Sequence, residues 1–455
     1  MNDFSKLLDE ESIRSINLSG KNINSLLYAD DLVLLSDDQK GLQNKLDILE
    51  KYCKDWCLEI NTSKTKVVIF NKSGHLINEK FSLENSHLEC VNKYKYLGII
   101  MSSCGSFKEA RSDLYNKALK ASFKLFKDLN STQPPIKTFL HLFDHMIKPI
   151  ALYGCEIWGT LTSRIQEKDK HLYDTFKTWE MENLNIKFCK YLLGAGKKST
   201  NIAIISELGR YPLYFSLIQS ILLYWHRLEL CEESSLLHHA YKETINLSLS
   251  NVNSWYKSLV YFSKKINISL SICKKYKTTC FKQQVKKNLR KHFLNYWTLK
   301  REEGLNSGKL DTYFLYKENF TMESYMFIQS HNIRKILCRF RISAHDLRVE
   351  RGRYEFAKNN TGQRIPLERN KRTCLLCNQN CVEDESHFLT ECPLYKEERN
   401  SFFHYVSILN KNFILLTKKD KFIWLMSNED KIIITKLSEF LINAFKKRQN
   451  TLRSK

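Results

Sequence analysis

The run Ile23-Asn24-Ser25-Leu26-Leu27-Tyr28-Ala29-Asp30-Asp31-Leu32-Val33-Leu34-Leu35 sets two short apolar segments on either side of a pair of acids. Apolar runs of this length meeting at turn-forming aspartates predict a β-hairpin with Asp30 and Asp31 at its tip. Outward from it, Leu42, Leu46, Leu49, Cys53 and Trp56 recur in steps of four and three, which places them on one face of a helix that should pack on the hairpin. Asn61-Thr62-Ser63-Lys64 reads as a turn, residues 67–70 as a β-branched strand, and Tyr94 to Ile100 as a second strand and turn. Beyond about Phe107 the period becomes helical. Ala110, Leu114, Ala118, Ala121 and Leu125 mark one helix, and Ile136, Leu140, Phe143 and Ile147 mark another that should end before Pro149. The apolar and aromatic positions around Trp179, Tyr191 and Trp225 read as core.

Two adjacent carboxylates raise one another's pKa unless a cation neutralises them, and a divalent metal is the usual remedy. Magnesium takes hard oxygen ligands and fills its shell with water and substrate phosphate, so one or two carboxylates on a hairpin tip can hold it. Paired metals of this kind serve phosphoryl transfer. The bland reading is a solvated Asp-Asp turn, and the pair alone does not exclude it.

A second constellation lies near the C-terminus. Cys374-Leu-Leu-Cys377 is followed by nine residues, His387, four residues and Cys392. This is zinc-ligand spacing: the first pair forms a thiolate knuckle and His387 with Cys392 closes the tetrahedron, with no open position and so a structural role. Cys381 is a spare, less suitably placed ligand. The remaining cysteines of the fourteen are scattered, which suits reduced thiols in the nucleus or cytoplasm.

The 455 residues carry 72 Lys+Arg against 49 Asp+Glu, a net charge of +23, which points to a polyanionic partner. With 43% hydrophobic residues the chain can bury real cores, which excludes wholesale disorder. No apolar run is long enough to span a membrane. From Lys264 to Arg301, lysines including Lys274, Lys275, Lys282, Lys286 and Lys287 alternate with Tyr276, Phe281, His292, Tyr296 and Trp297. That pattern suits a groove that tracks phosphates and stacks bases, and a solvated helix face accounts for it equally well. Arg334, Lys335, Arg339 and Arg341, just ahead of the cysteine cluster, are the nucleic-acid-binding candidates. Gly194-Ala195-Gly196-Lys197-Lys198-Ser199 lacks the spacing of a phosphate loop and a strand before it, so it is discounted.

The order Tyr28-Ala29-Asp30-Asp31, the helix to Trp56, Leu58-Glu59-Ile60-Asn61, Lys64-Thr65-Lys66 and Tyr96-Leu97-Gly98 resembles the reverse transcriptases of non-LTR (LINE-type) retrotransposons. The resemblance implies that Tyr-Ala-Asp-Asp is palm motif C, with Asp30 chiefly and Asp31 secondarily binding catalytic Mg²⁺, and Tyr28 and Ala29 beneath the incoming nucleotide. It implies a motif D basic residue at Lys64 or Lys66, a primer grip at Tyr94 to Ile100, a helical thumb beyond it, and RNA template and DNA primer as partners. The segment around His387 and Cys392 resembles the zinc-binding segment C-terminal to such polymerases. Asn2-Asp3-Phe4 resembles the segment after motif B, so the fingers and motifs A and B, with a further essential aspartate, are expected to be missing and autonomous polymerisation is not expected.

The fold expected is therefore α+β. Residues 1–105 form a partial palm (antiparallel sheet with helix), 106–245 a mostly α-helical thumb and connection, 246–330 a basic helical linker, and 331–455 a small zinc-binding nucleic-acid module with C-terminal helices. A non-catalytic, zinc-dependent nucleic-acid-binding protein is the alternative reading. Oligomeric state is not legible.

Overall fold

The computed structural model describes residues 2–10, 14–84, 86–129, 134–159, 171–273, 276–306, 309–358 and 364–454. Lys274 and Lys275 of the basic stretch lie outside the described residues. Helices predominate over small two-stranded sheets, in keeping with the α+β class. The chain forms two compact units: Met1–Ala118 with Ile150–Lys168 and Phe215–Leu289, and Leu119–Pro149 with Asp169–Tyr214 and Arg290–Lys455.

In the first unit, helix α1 (Asn2–Glu10) leads into the hairpins β1 (Ile16–Leu18)/β2 (Lys21–Ile23) and β3 (Ser25–Tyr28)/β4 (Asp31–Leu34). Helix α2 (Gln39–Asp55) follows, begun by Asp38, whose carboxylate accepts from Gly41 N at 2.6 Å. Next come β5 (Lys66–Val67), β6 (Ser82–Leu83), β7 (Ser86–His87), β8 (Glu89–Cys90), β9 (Lys93–Tyr96), β10 (Ile99–Ser102) and helix α3 (Lys108–Leu129), whose residues from Leu119 onward belong to the second unit. Helix α2 is the hub. Its Leu46 joins Val67, Phe81, Leu83, Leu88 and Cys90 in one core, while Leu49, Tyr52 and Cys53 join Phe4 and Leu8 in another. Leu32 and Leu34 of β4 pack on the second core, so the hairpin rests on α2 as its sequence period requires.

Several details depart from expectation. The pair β5/β8 is parallel, and residues 68–70 leave the ladder because β8 offers only Glu89 and Cys90 as partners. Trp56 is 60% exposed: it is the C-cap of α2 and meets Tyr52 at 6.0 Å instead of entering the core. The helix from Ile136 does not stop before Pro149. It passes through a π turn at Phe143–Ile147 into Lys148–Ala151, with Lys148 N donating to Phe143 O. The wider turn lets the helix continue past a residue that has no N–H to give. Tyr191 is exposed against Phe126, whereas Trp179 and Trp225 are buried as expected.

The second unit is held by paired buried charges. Glu182 accepts from Asn185 Nδ2 (2.9 Å) and Leu213 N (2.6 Å), and Arg210 bridges Asp144 and Asn185. Arg341 places its guanidinium on both Glu207 oxygens (3.0 and 3.1 Å) and on Glu323 (2.8 Å). Charges removed from water in this way persist only when each is paired.

Candidate functional site

Pairing of Tyr28 with Asp31 leaves Ala29 and Asp30 as the two turn residues of the β3/β4 hairpin. Ala29 sits at φ +54°, a left-handed conformation unusual for alanine and a local strain of the tip. Tyr28 is 63% exposed, and Asp30 and Asp31 are exposed too. Among the described residues neither aspartate joins a group of three or more possible metal ligands. At the hairpin's other end, Leu35 N donates to Asn24 O (2.9 Å), and the buried Lys45 of α2 donates to Arg14 O (2.8 Å) and Leu35 O. The base is thus fastened while the tip is free. Burial lowers the Lys45 pKa.

The segments predicted to flank the acids gather in the same unit. Burial raises the Tyr96 pKa and the Asp31 charge adds to it, so β9 lies within electrostatic reach of the tip. The β9/β10 turn has Leu97 and Gly98 at φ +46° and +83°, and Leu97 O accepts from Tyr153 Oη (3.0 Å). Tyr94 Oη donates to Lys64 O (3.3 Å), tying the turn at Asn61 to β9. Lys66 is bound to Glu89 (2.8 Å), whereas the exposed Lys64 makes no ion pair among the described residues.

The cysteine cluster is a built site. Thr373 and Val382 form an antiparallel bridge and Cys374 N donates to Cys381 O (2.8 Å), folding the chain back around Cys374 and Cys377. Asp384 Oδ1 accepts from His387 N (2.9 Å) and opens the π turn His387–Glu391 that delivers His387 and Cys392. The ligand atoms of Cys374, Cys377, His387 and Cys392 all lie within 4.8 Å of one another. Cys377 Sγ is 3.5 Å from His387 Nε2, and about 3.5 Å is what a thiolate and an imidazole on one tetrahedral zinc require. A hydrogen bond between Cys374 and Cys392 lowers the Cys374 pKa and raises that of Cys392. The donor set and geometry fit zinc. Cys381 falls in a different group, with His387 and Glu391.

Residues that sequence reasoning missed brace this knuckle. Glu383 is buried and holds the Arg448 fork at 2.8 Å on each oxygen, and its Oε2 also accepts from Arg348 N (2.7 Å). Glu385 accepts from Ser343 (2.6 Å), His345 (2.8 Å) and Thr312 (3.1 Å). Burial alone would raise the Glu385 pKa, but the charge and hydrogen bond of His345, with Ser343, bring it to about 2. The acidic spacer of the motif is thus internal wiring.

The nucleic-acid candidates separate. Arg334 is buried and bonds the carbonyls of Ile328 and Gln329, and Arg341 is buried in the Glu207 and Glu323 network, so both guanidinium groups face inward. Lys335 and Arg339 are half-buried. In the helix Thr278–Asn306, Phe281, Tyr296 and Trp297 are buried while Lys282, Lys286, Lys287, Arg290 and Lys291 are exposed. The interleaving is an amphipathic helix, and those three rings are core.

Residues 1–101 match the family model for reverse transcriptase (RNA-dependent DNA polymerase). An uncharacterised transposon-derived protein of Caenorhabditis elegans is 28% identical over 157 residues, 34% of this chain and 54% of that one. The "Probable RNA-directed DNA polymerase from transposon BS" of Drosophila melanogaster is 29% identical over 143 residues, 29% of this chain and 16% of that one. The retrovirus-related Pol polyprotein from the type-1 retrotransposable element R2 of Popillia japonica is 25% identical over 219 residues, 46% and 34% of the two chains. The chain spans about half, or less, of the length of these relatives. These likenesses are to reverse transcriptases of transposable elements, and the family model covers residues 1–101 of the 455.

Proposed function

We propose that residues 1–105 are the part of a non-LTR retrotransposon polymerase palm that bears the catalytic hairpin, with 106–245 as thumb and connection, 246–330 as basic linker, and 331–455 as a zinc-binding nucleic-acid module. The exposed Tyr28–Asp31 hairpin, inside the residues matched by the reverse transcriptase model, carries this reading. Asp30 chiefly and Asp31 secondarily hold magnesium, which when bound supplies charge stabilisation at the transferring phosphate. The chain's own residues position: Tyr28 and Ala29 lie beneath the nucleotide, and Lys64, free of the ion pair that occupies Lys66, faces its phosphates. The described residues bring no third ligand to this hairpin. Polymerisation therefore requires a carboxylate from outside them, and the described residues alone do not extend a primer.

The test is primer extension on an RNA template, with and without a segment carrying fingers and the motif A aspartate from an intact relative. Extension is expected only in the complemented reaction and is abolished by Asp30→Ala. Extension that survives Asp30→Ala overturns the assignment. A second reading, zinc-dependent nucleic-acid binding without catalysis, is favoured by the assembled four-ligand cluster. Under it, chelation and Cys374→Ser weaken RNA binding while Asp30→Ala leaves it unchanged.

A further inference from the structure

The loop 194–199, unlike a phosphate loop in spacing, stands within a concentration of like charge in the second unit. Lys197 and Lys198 are exposed on it. Two lysines from elsewhere hold its backbone: Lys190 Nζ donates to Lys197 O (2.8 Å) and Lys309 Nζ to Lys198 O (3.2 Å). The Lys335 stem lies so close to Gly194, at φ +59°, that a Cβ there would meet Lys335 Cγ at 2.6 Å. An ammonium bonded to a carbonyl keeps its full charge. The crowding registers at Lys190, whose pKa is lowered by burial and by the charge of Lys309. Among the described residues, the acid within ion-pair reach of these lysines is Glu350, 3.8 Å from Lys309 and already 2.9 Å from Arg353.

An aromatic ring completes the patch. Lys198 Nζ lies 4.3 Å over Tyr354, which remains 61% exposed. Tyr354 ends the short turn begun by Gly352, whose Cα packs against Arg372, two residues before Cys374. Exposed lysine and exposed aromatic therefore coincide beside the knuckle, as they do not along Thr278–Asn306, where Phe281, Tyr296 and Trp297 turn inward. A solvated face ordinarily mixes signs; here, among the described residues, the acid within ion-pair reach of the lysines is the buried Glu350.

We propose that Lys190, Lys197, Lys198, Lys309, Lys335 and Tyr354 form a binding surface for single-stranded nucleic acid, with the lysines on backbone phosphates and Tyr354 stacked on a base. The inference deepens the proposed function and rests on nucleic acid being the partner. The lysines of the loop are preset by the carbonyl contacts beneath it, so they bind without ordering a segment first.

The test titrates the full, zinc-loaded chain with a labelled single-stranded RNA of about 16 nucleotides over a series of salt concentrations. Lys197→Glu with Lys198→Glu is expected to weaken binding at least about tenfold and to reduce the slope of log K on log salt by roughly 1.4, at ~0.7 per lost phosphate contact. Tyr354→Ala weakens binding about tenfold with the slope unchanged, and Tyr354→Phe retains it. Lys286→Glu with Lys287→Glu, which removes the same charge from another exposed face, serves as the comparison. Unchanged binding and slope in the Lys197, Lys198 variant, or an equal loss in the Lys286, Lys287 variant, overturns the surface. A wild-type chain that binds no RNA overturns the proposed function along with it. Zinc content and the unfolding temperature, expected to be unaltered by these exposed substitutions, separate loss of binding from loss of fold.

Discussion

The acidic hairpin and the cysteine knuckle use opposite means of holding ligands. The knuckle's four ligand atoms converge without help, backed by Glu383 with Arg448 and by Glu385 with His345. The hairpin offers two carboxylates on an exposed two-residue tip, with order only at its base, where Lys45 grips the carbonyls of Arg14 and Leu35. On the proposed assignments the difference teaches that a structural metal site is part of its own fold, whereas a site that must admit substrate leaves ligands clear of partners.

The contrast breaks first on metal. Cys392→Ser is expected to abolish zinc binding at the proposed knuckle and destabilise the second unit by several kcal/mol, given that structural zinc contributes about 10–16 kcal/mol to finger peptides. Metal analysis and calorimetry check it, and retained zinc would remove Cys392 from the ligand set. Next in size is Arg448→Met, which strands the buried Glu383 and should cost about 3–5 kcal/mol of stability and weaken zinc binding.

Smaller effects belong to the hairpin. Lys45→Met should destabilise the first unit by about 2 kcal/mol at neutral pH, because two partly buried carbonyls lose their donor. Because the Lys45 pKa is lowered in the fold, the unfolded chain binds the proton more tightly. Wild-type stability therefore rises as pH climbs from that lowered value toward 10.5, and the gap to Lys45→Met widens over that window. Denaturant titrations at several pH values read this directly. Ala29→Gly relieves the left-handed alanine and should stabilise by about 0.5–1 kcal/mol. Asp30→Ala should stay within about 0.5 kcal/mol of wild type, and a large loss of stability would show that the tip is not the free element described.

What could be read in the sequence was what is local in it. The hairpin, the α2 stripe, the Leu97-Gly98 turn and the Cys374 to Cys392 spacing each lie within a short stretch, where period and turn chemistry decide the outcome. Lys45 meets Arg14 31 residues away and Arg448 meets Glu383 65 residues away, and no pattern in either stretch announces the other. Arg334 and Arg341 read as surface cations because a basic run looks the same whether its charges face water or the interior; the carbonyls of Ile328 and Gln329 decide for Arg334 and the positions of Glu207 and Glu323 for Arg341. The aromatics of Thr278–Asn306 misled for a related reason, since an amphipathic helix and a base-stacking groove share one alternation. Tyr354, isolated in sequence from Lys198, gave no signal at all.

The Arg448 fork also has a mechanical meaning. It lies five residues before the end of the helix Lys431–Arg453 and its other anchor, Glu383, lies between the two halves of the proposed zinc ligand set. Tension applied to that helix is passed by two parallel hydrogen bonds straight into the knuckle, where a bound zinc would bear the load. Stripped of zinc, the helix should give way under a weaker pull, making a bound ion measurable as force.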